Sequence, residues 1–309
     1  MILTVTLNPA LDKLLSADDL IPGEANRVET LSYLPAGKGI DVAKVLRDLK
    51  EEVVATGFLG GTVASIFHDC FRREGITDEF LPIAGTTRTN LQIFDKKGKR
   101  TELLERGPEI APEEWKALLA RLDALLPRCR AVTVCGSAPG GVTPAMFGGL
   151  IRRVKESGAL TVVDASGALL RAALPEKPHL IKPNRTEMLE LMGRDTADLG
   201  EILSFARELV ADGIRYVLCS LGRDGAVLAG AGGVWRAAAP DVPVKSTLGC
   251  GDTMVASMAL SLAKGLEPAE MLRNATALSS ANAMTFETAH IAVEDYEALL
   301  PRCPVEKIV

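Results

Sequence analysis

The sequence predicts an α/β fold with a mostly parallel sheet. Three apolar, β-branched runs, at residues 131–135, 160–164 and 214–220, have the length and composition of strands. Helical segments separate them, such as 112–126, where apolar residues recur every three or four positions. Strands that are buried on both faces and alternate with amphipathic helices are typical of parallel sheets with right-handed crossovers.

The rest of the chain largely continues this alternation. Further strands and helices are predicted at regular intervals: strands at 2–7, 52–60 and 179–182, and helices at 40–49, 63–71, 144–158, 201–210 and 252–265. Glycines at 75, 158 and 265 end three of these helices. There is no internal repeat and no linker, so we expect a single domain spanning residues 1–309.

Two segments, residues 10–36 and 86–105, interrupt the alternation. The second predicts a hairpin, because two alternating runs flank Lys96-Lys97-Gly98. Strands inserted into an α/β core form either a lid over a binding site or a hairpin on the surface. The pattern alone leaves both interpretations open.

Composition excludes several classes of function. The 309 residues are 47% apolar with a formal net charge of −5, which gives no general electrostatic surface for nucleic acid or an anionic membrane. No apolar run approaches the roughly 18–20 residues of a transmembrane helix. The six cysteines form no C-x-x-C pair and no metal-like cluster with the three histidines. Because the first residues form a strand-like run without a basic segment or cleavage site, we expect a reduced, cytoplasmic protein.

Polar and glycine-rich segments follow the predicted strands. They are Asn8-Pro9 with Asp12, residues 136–141, Asp164, Lys182-Pro183-Asn184 and residues 220–225. Each segment alone is compatible with turn chemistry. Because the carboxyl ends of parallel strands meet at one edge of a sheet, where ligands bind, together they favour a nucleotide or sugar site there.

Two glycine motifs resemble nucleotide-binding loops without matching them. AGKGID (36–41) lacks the G-x-x-x-x-G-K-[ST] spacing of a Walker A loop, so it is either a turn before a helix or a backbone approach to a ligand beside Lys38. STLGCGDTM (246–254) lacks the third glycine of G-x-G-x-x-G, and no acid is suitably placed after it. A dehydrogenase is therefore weakly supported.

Asp252 stands at the predicted start of a helix, after Gly249 and Gly251. Aspartate is a common helix cap, which is one interpretation. The glycines also leave free N–H groups at the positive end of the helix, where an anion binds readily. An aspartate beside a bound phosphate group can accept a proton from a substrate hydroxyl during phosphoryl transfer. From the pattern alone, cap and base remain equally good interpretations.

Seven motifs, taken in order, resemble the ribokinase-like (PfkB) carbohydrate kinases. They are LNPALD, AGKGIDVAKVL, GSAPGG, VVDASG, KPNRTE, SLGRDG and STLGCGDTM, and they extend from residue 3 to beyond residue 282. Each motif alone is weakly specific, but the ordered set is highly specific. The set is most similar to the branch that holds 1-phosphofructokinase and tagatose-6-phosphate kinase. The resemblance implies a three-layer α/β/α core, a small β-sheet lid from 10–36 and 86–105, and a homodimer formed through that lid.

The resemblance also implies roles around the nucleotide. Asp252 is the expected general base, and Gly249, Cys250 and Gly251 form the anion hole for the transferring phosphoryl group. The other expected nucleotide-side residues are Lys182 near the ATP phosphates, Asn184 and Glu187 at Mg²⁺ and its waters, Ser220, Gly222 and Gly225 in the nucleotide loop, and Asn282 beside adenine.

On the sugar side, the resemblance implies contacts from Asp12, Asp41 and the Gly37-Lys38-Gly39 turn. Arg27 and Arg88 match the positions that hold the phosphate already present on the substrate. The implied reaction is ATP-dependent phosphorylation of a sugar phosphate, D-fructose 1-phosphate first and tagatose 6-phosphate second. A non-catalytic sugar-phosphate sensor is the alternative from another class, and the intact base motif disfavours it.

Three residues depart from the family pattern. Cys250 replaces the usual alanine, and its small side chain is compatible with an anion hole made of backbone. Ala138 replaces a common leucine. Asp41 replaces a sugar-binding asparagine, so two amide donors are lost and a negative charge is added near an anionic substrate. This last change affects the expected identity of the sugar more than the reaction.

Overall fold

The computed structural model describes residues 1–309 as ten α-helices, four short 3-10 helices and fifteen strands. The strands are β1 Ile2–Thr6, β2 Ala10–Ala17, β3 Val28–Ala36, β4 Val53–Gly60, β5 Thr77–Asp78, β6 Leu81–Ile83, β7 Arg88–Asp95, β8 Arg100–Leu103, β9 Ala131–Cys135, β10 Leu160–Asp164, β11 Leu180–Ile181, β12 Tyr216–Ser220, β13 Ala226–Gly230, β14 Gly233–Ala237 and β15 Val305–Lys307. The helices are α1 Lys38–Asp48, α2 Ala64–Glu74, α3 Pro112–Leu125, α4 Pro144–Glu156, α5 Gly167–Ala173, α6 Arg185–Met192, α7 Leu199–Ala211, α8 Cys250–Lys264, α9 Pro268–Ala283 and α10 Val293–Leu299.

The larger sheet has eleven strands in the order β15-β14-β13-β12-β11-β10-β9-β1-β4-β5, and β6 also pairs with β4. All neighbours from β5 to β12 run parallel, which confirms the predicted α/β class. Strands β13, β14 and β15 extend the sheet in antiparallel fashion, which the sequence pattern did not predict.

Alternating side chains of each strand enter two separate cores on the two faces of the large sheet. Leu3 and Val5 of β1 pack in the core that contains Phe147 of α4. Ile2 of the same strand packs in the core that contains Val255 of α8. Because both faces are covered by helices, the central strands are apolar throughout, and this is the pattern from which the class was predicted.

The two interrupting segments form a separate four-stranded sheet in the order β3-β2-β7-β8. The predicted hairpin is present, because β7 and β8 pair antiparallel across a short turn. Segment 10–36 supplies β2 and β3, which also pair antiparallel, and β2 lies parallel to β7. The small sheet begins directly after β1 and returns directly to α1, so its base lies at the carboxyl edge of the large sheet.

Two helices begin at this same edge. Helix α1 starts at Lys38 after Gly37, and α8 starts at Cys250 after Gly249. The two helices pack against each other. Their positive N-terminal ends therefore lie close to the carboxyl ends of β1, β9 and β10.

No helix of the chain is both long enough and apolar enough to cross a membrane.

Candidate active site

A cleft of about 1720 Å³ separates the carboxyl edge of the large sheet from the small sheet. Its lining includes several residues that the sequence predicted for the site: Asp12, Gly37, Lys38, Asp41, Arg88, Gly249 and Asp252. The remaining predicted residues do not line this cleft. The structure thus brings five of the seven predicted sugar-side residues and the predicted base together in one cleft, and leaves out Arg27 and Gly39.

Asp252 lies in the first turn of α8 and lines the cleft. The helix is preceded by Gly249 at φ 77, and no side chain caps it. A Cβ at Gly249 would lie 2.9 Å from the backbone nitrogen of Ala289, so both the backbone angle and the space require glycine. Because Asp252 makes no capping hydrogen bond, the structure does not support its interpretation as a helix cap.

The pKa of the Asp252 carboxyl is raised well above its ordinary value. Burial at the base of the cleft is the main cause, and the negative charges of Asp41 and Asp164 add to it. The ammonium groups of Lys38 and Lys182 act in the opposite direction. A carboxylate whose pKa is raised towards neutrality is a better proton acceptor than an ordinary surface aspartate.

Lys38 and Lys182 share one buried carboxylate, that of Asp164. The Asp164 Oδ1 atom lies 3.2 Å from Lys38 Nζ and 3.4 Å from Lys182 Nζ. Burial opposes the charge on Lys38, but the carboxylates of Asp164, Asp252 and Glu187 outweigh it and raise its pKa. The sequence placed Asp164 at this edge among the segments that favour a ligand site, but assigned it no role.

Asn184 and Glu187 form a reciprocal capping box at the start of α6. Asn184 Oδ1 accepts a hydrogen bond from the Glu187 backbone N–H at 2.9 Å, and Glu187 Oε2 accepts one from the Asn184 N–H at 2.8 Å. Glu187 is buried, and one of its oxygens is outside the capping box. Ser220 pairs with Asn184 through a backbone bridge, so the predicted nucleotide loop lies beside this cap.

Two neighbouring side chains of β7 fix the carboxylate of Asp12. Asn90 Nδ2 donates to Asp12 Oδ1 at 2.9 Å, and Gln92 Nε2 donates to Oδ2 at 2.6 Å. Burial raises the pKa of Asp12, and these two hydrogen bonds lower it, although burial dominates. The polar alternation of the TNLQ stretch was the sequence signal for Asn90 and Gln92, which share one face of the strand.

Asp41 is buried on α1 together with Lys44. Lys44 Nζ lies 3.5 Å from Asp41 Oδ1 and donates a hydrogen bond to the carbonyl oxygen of Pro35 at 2.9 Å. Burial raises the pKa of Asp41 to about 6, the charge of Lys44 opposes this, and the charge of Asp12 adds to it. Asp41 carries a negative charge where the family usually has a neutral asparagine. This charge is therefore paired with Lys44 within the protein.

The two predicted phosphate-binding arginines occupy different places. Arg88 lines the cleft, where its guanidinium donates to the backbone oxygens of Asn8 at 3.0 Å and Glu105 at 3.1 Å. Its Nε–H is buried without a partner. Burial lowers the pKa of Arg88. Arg27 is exposed and does not line the cleft. Arg27 lies just before β3, outside the cleft of its own chain, so its contact with the substrate stays a prediction.

The sequence matches the pfkB family of carbohydrate kinases over residues 5–294. The chain belongs to this family. It is 37% identical over 301 residues to a 1-phosphofructokinase of Haemophilus influenzae, covering 97% of this chain and 95% of the relative. It is 36% identical over 277 residues to a 1-phosphofructokinase of Escherichia coli, covering 90% of this chain and 89% of the relative.

Solved structures agree with this assignment. Phosphofructokinase-2 from Escherichia coli in complex with potassium superposes with a TM-score of 0.92 at 27% identity, covering 97% of this chain and 98% of that one. The same enzyme in complex with fructose-6-phosphate gives a TM-score of 0.89 at 26% identity, with the same coverage. A ribokinase from Thermotoga maritima shares the fold, with a TM-score of 0.78 at 18% identity over 97% of this chain and 99% of that chain. The predicted ribokinase-like fold is confirmed.

In this pfkB family member, Asn282 has a role other than the expected adenine contact. Its side chain is 1% exposed. Its Nδ2 donates to the carbonyl oxygen of Leu248 at 2.7 Å, and its Oδ1 accepts from the Ala289 N–H at 3.0 Å. Asn282 thus ties the loop before α8 to the segment after α9, and the prediction for it requires this correction. Cys250 Sγ also lies against α9, where it contacts the backbone oxygen of Ser279 at 3.4 Å.

Proposed function

We propose that this chain transfers the γ-phosphoryl group of ATP to the free primary hydroxyl of D-fructose 1-phosphate, yielding D-fructose 1,6-bisphosphate. Membership of a carbohydrate kinase family supports the reaction class. The two relatives at 36–37% identity, both named 1-phosphofructokinases, support this substrate over others. The observation that carries the proposal is the position of Asp252, at the positive end of α8 and in the same cleft as Asp12, Lys38 and Arg88.

In the proposed reaction, Asp252 accepts the proton of the substrate hydroxyl while the hydroxyl oxygen attacks the γ-phosphorus. The bond between that phosphorus and the bridging oxygen breaks, and ADP leaves. The N–H groups of residues 249–251 and the ammonium groups of Lys38 and Lys182 offset the charge on the transferring group. Asn90 and Gln92 hold the Asp12 carboxylate in place, so that it accepts hydrogen bonds from sugar hydroxyls.

We propose that residues beside the cleft bind a magnesium-bound nucleotide. No group of three or more His, Cys, Asp or Glu side chains is placed to hold a metal by itself. This suits Mg²⁺, which keeps several waters and uses one or two carboxylates together with substrate phosphates. The Glu187 oxygen outside the capping box, and the amide of Asn184, would hold its water shell. Bound there, Mg²⁺ would neutralise charge on the ATP phosphates. Ser220, Gly222 and Gly225 would border the nucleotide.

Arg88 is the proposed ligand for the phosphate already present on the sugar. Its buried Nε–H has no partner within the protein, and an unsatisfied buried donor is costly unless a ligand completes it. The two carbonyl oxygens of Asn8 and Glu105 hold the guanidinium in a fixed orientation. A fixed guanidinium with a free donor is well suited to a phosphate oxygen.

The small sheet is the proposed lid and the proposed dimer interface. Large apolar side chains are exposed on this sheet: Val28, Leu31, Tyr33 and Leu103, of which Leu31 and Tyr33 also border the cleft. Such a face is typical of a protein–protein contact. We expect light scattering to give a mass twice that of one chain, and Leu31→Lys to give a single-chain mass. A wild-type protein that remains a single chain at micromolar concentration would exclude this interface.

An assay of ADP release tests the function. The panel is fructose 1-phosphate, fructose 6-phosphate, tagatose 6-phosphate and unphosphorylated fructose, each with MgATP. We expect the highest kcat/KM with fructose 1-phosphate. A preference for fructose 6-phosphate or tagatose 6-phosphate would contradict the proposed substrate and keep the kinase. No ADP release with any of them would contradict the enzyme and favour a sensor.

Asp41→Asn tests whether the departure from the family contacts the sugar. Above about pH 6 Asp41 is ionised and accepts charge-assisted hydrogen bonds, which are stronger than those of an amide by about 1 kcal/mol. We expect the variant to raise KM for the sugar phosphate roughly fivefold at pH 8. The ratio of the two KM values is expected to approach one at pH 5, where Asp41 is protonated and has lost this advantage.

The substrate phosphate itself titrates near pH 6. It does so equally with both proteins, so the ratio of KM values isolates Asp41. A ratio that stays at one from pH 5 to pH 8 would show that Asp41 makes no contact with the sugar.

A further inference from the structure

Asp164 is the most deeply buried carboxylate beside the cleft, with 0% of its side chain exposed. It ends β10, in register with Cys135 of β9. Its backbone oxygen accepts a hydrogen bond from the Gly136 N–H at 2.8 Å. A strand ladder on one side and a loop on the other thus fix its position. Because it is completely buried, it does not touch a substrate in the cleft.

The two lysines that Asp164 binds come from different parts of the fold. Lys38 is the first residue of α1, lines the cleft and is 38% exposed. Lys182 follows β11 and is 4% exposed. Its Nζ lies 3.5 Å from where a Cβ on Gly251 would stand, so it reaches the loop that begins α8. Asp164 therefore joins a lysine at the sugar side to a lysine beside the phosphoryl-binding loop.

Both lysines contact the same carboxylate oxygen, Oδ1. The other oxygen, Oδ2, is buried and has no hydrogen-bond partner. One negative charge thus holds two positive charges, so the three groups together carry one net positive charge. The free Oδ2 is a second acceptor. It can accept a hydrogen bond from one lysine while the other lysine donates to a phosphate oxygen. Without Asp164, a nearly buried Lys182 would lose its only ion-pair partner.

We propose that Asp164 is a positioning residue of the phosphoryl-transfer site, whose carboxylate clamps the ammonium group of Lys38, which lines the cleft, and that of Lys182, beside the loop at residues 249–251. The clamp itself follows from the two ion pairs, and its effect on catalysis rests on the proposed kinase function. The clamp extends the proposed function by identifying Asp164 as the group that positions the two lysine ammonium groups. Neither lysine is held by another acidic side chain within 4.0 Å.

Asp164→Asn tests the clamp, because the amide keeps the shape and removes the charge. We expect kcat to fall on the order of 100-fold, while KM for the sugar phosphate changes less than threefold. The acid limb of the kcat/KM profile is expected to move to lower pH, because the charge of Asp164 helps raise the pKa of Asp252. Asp41, Lys38 and Lys182, which also act on Asp252, are unchanged in this variant. A kcat within threefold of wild type, or an unmoved acid limb, would overturn the proposal.

Thr133→Val is the matched control. Thr133 is completely buried on β9, next to β10, and its hydroxyl has no partner. The variant therefore changes a buried polar group of the same sheet without touching the clamp. We expect its kcat and its acid limb to match the wild type. Equal effects in both variants would show that Asp164 has only a structural role.

A second readout needs no turnover. Loss of Asp164 lowers the pKa of Lys38, so acetic anhydride is expected to acetylate Lys38 several-fold faster, relative to exposed Lys116, in mass spectra of the variant. An unchanged ratio would overturn the clamp even if the chain phosphorylated no sugar. Inactivity of the wild type on every sugar phosphate with a raised ratio in the variant would contradict the proposed function and leave the clamp standing.

A double variant covers the case in which Asp164→Asn does not fold. Asp164→Asn combined with Lys182→Met removes both charges of the more buried pair, which proteins tolerate better than one unpaired charge. We expect the double variant to be less than about tenfold slower than Lys182→Met alone, because the part of the Asp164 effect that passes through Lys182 is already lost and only its hold on Lys38 remains. A further loss on the order of 100-fold would show that Asp164 acts independently of Lys182, contrary to the clamp.

Discussion

Replacing Asp252 with asparagine is expected to lower kcat by a factor on the order of 10²–10⁴, the usual contribution of a general base. The amide has nearly the same shape and no longer accepts the proton of the substrate hydroxyl. The backbone of residues 249–251 and the side chains of Lys38 and Lys182 remain in place. Affinity for ATP, measured by calorimetry, is therefore expected to stay within a few-fold of wild type.

The dependence of the rate on pH also tests the role of Asp252 as a base. The pKa of Asp252 is raised above its ordinary value, so the group becomes protonated as the pH falls through that raised pKa. The wild-type rate is therefore expected to fall on the acid side as the base is lost. The variant has no carboxylate at this position, and we expect its residual rate to lack that limb.

Asp198→Asn is a matched control, since Asp198 also stands at a helix start. Its carboxylate caps α7 by accepting a hydrogen bond from the Glu201 N–H at 2.8 Å, whereas Asp252 caps nothing. Asparagine is an equally good cap, so stability and kcat are both expected to stay close to wild type. A kcat of Asp252→Asn within tenfold of wild type would remove Asp252 from the role of base.

The class of the fold was predictable because each central strand is an apolar run between amphipathic helices. The direction of the strands beyond β12 was not predictable from the same signal. All five residues of β13 and the three central residues of β12 are buried, and a strand buried on both faces has the same apolar pattern in either direction. Only the turn at residues 221–225 separates them, and its glycines suit a nucleotide loop as well as a hairpin.

The edge on which the site lies was predictable, but the partners of its residues were not. The carboxyl ends of parallel strands share one edge, which placed Asp12, Asp164 and Lys182 near one another. Lys38 and Asp252 were assigned to the site by the resemblance to the family. The pairing of Lys38 with Asp164 joins residues 126 positions apart, and spacing carries no information about such a contact. For Asn282, in contrast, the motif position suggested contact with a ligand. In the structure its amide hydrogen-bonds to the backbone of Leu248 and Ala289 instead.

Arg88→Ala is expected to raise KM for the sugar phosphate roughly 10- to 100-fold, because a charge-assisted hydrogen bond to a phosphate contributes about 1.5–3 kcal/mol. KM for ATP is expected to change less than threefold, since Arg88 lies between Asn8 and Glu105 on the sugar side of the cleft. Arg88→Lys keeps a positive charge and loses the fixed fork, so we expect an intermediate KM. Arg72→Ala serves as the control, because Arg72 is an exposed arginine outside the cleft whose side chain pairs with Asp69.

The decisive comparison for Arg88 is between phosphorylated and unphosphorylated fructose. The guanidinium also supports two backbone oxygens at the base of the small sheet, so its loss alters local structure in addition to any phosphate contact. A structural defect would reduce kcat/KM for both sugars by the same factor. Loss of a phosphate contact would reduce kcat/KM for fructose 1-phosphate alone, and the preference for the phosphorylated sugar would fall by that factor. An unchanged preference would therefore assign the orphan Nε–H of Arg88 to the fold and would place the substrate phosphate elsewhere in the cleft.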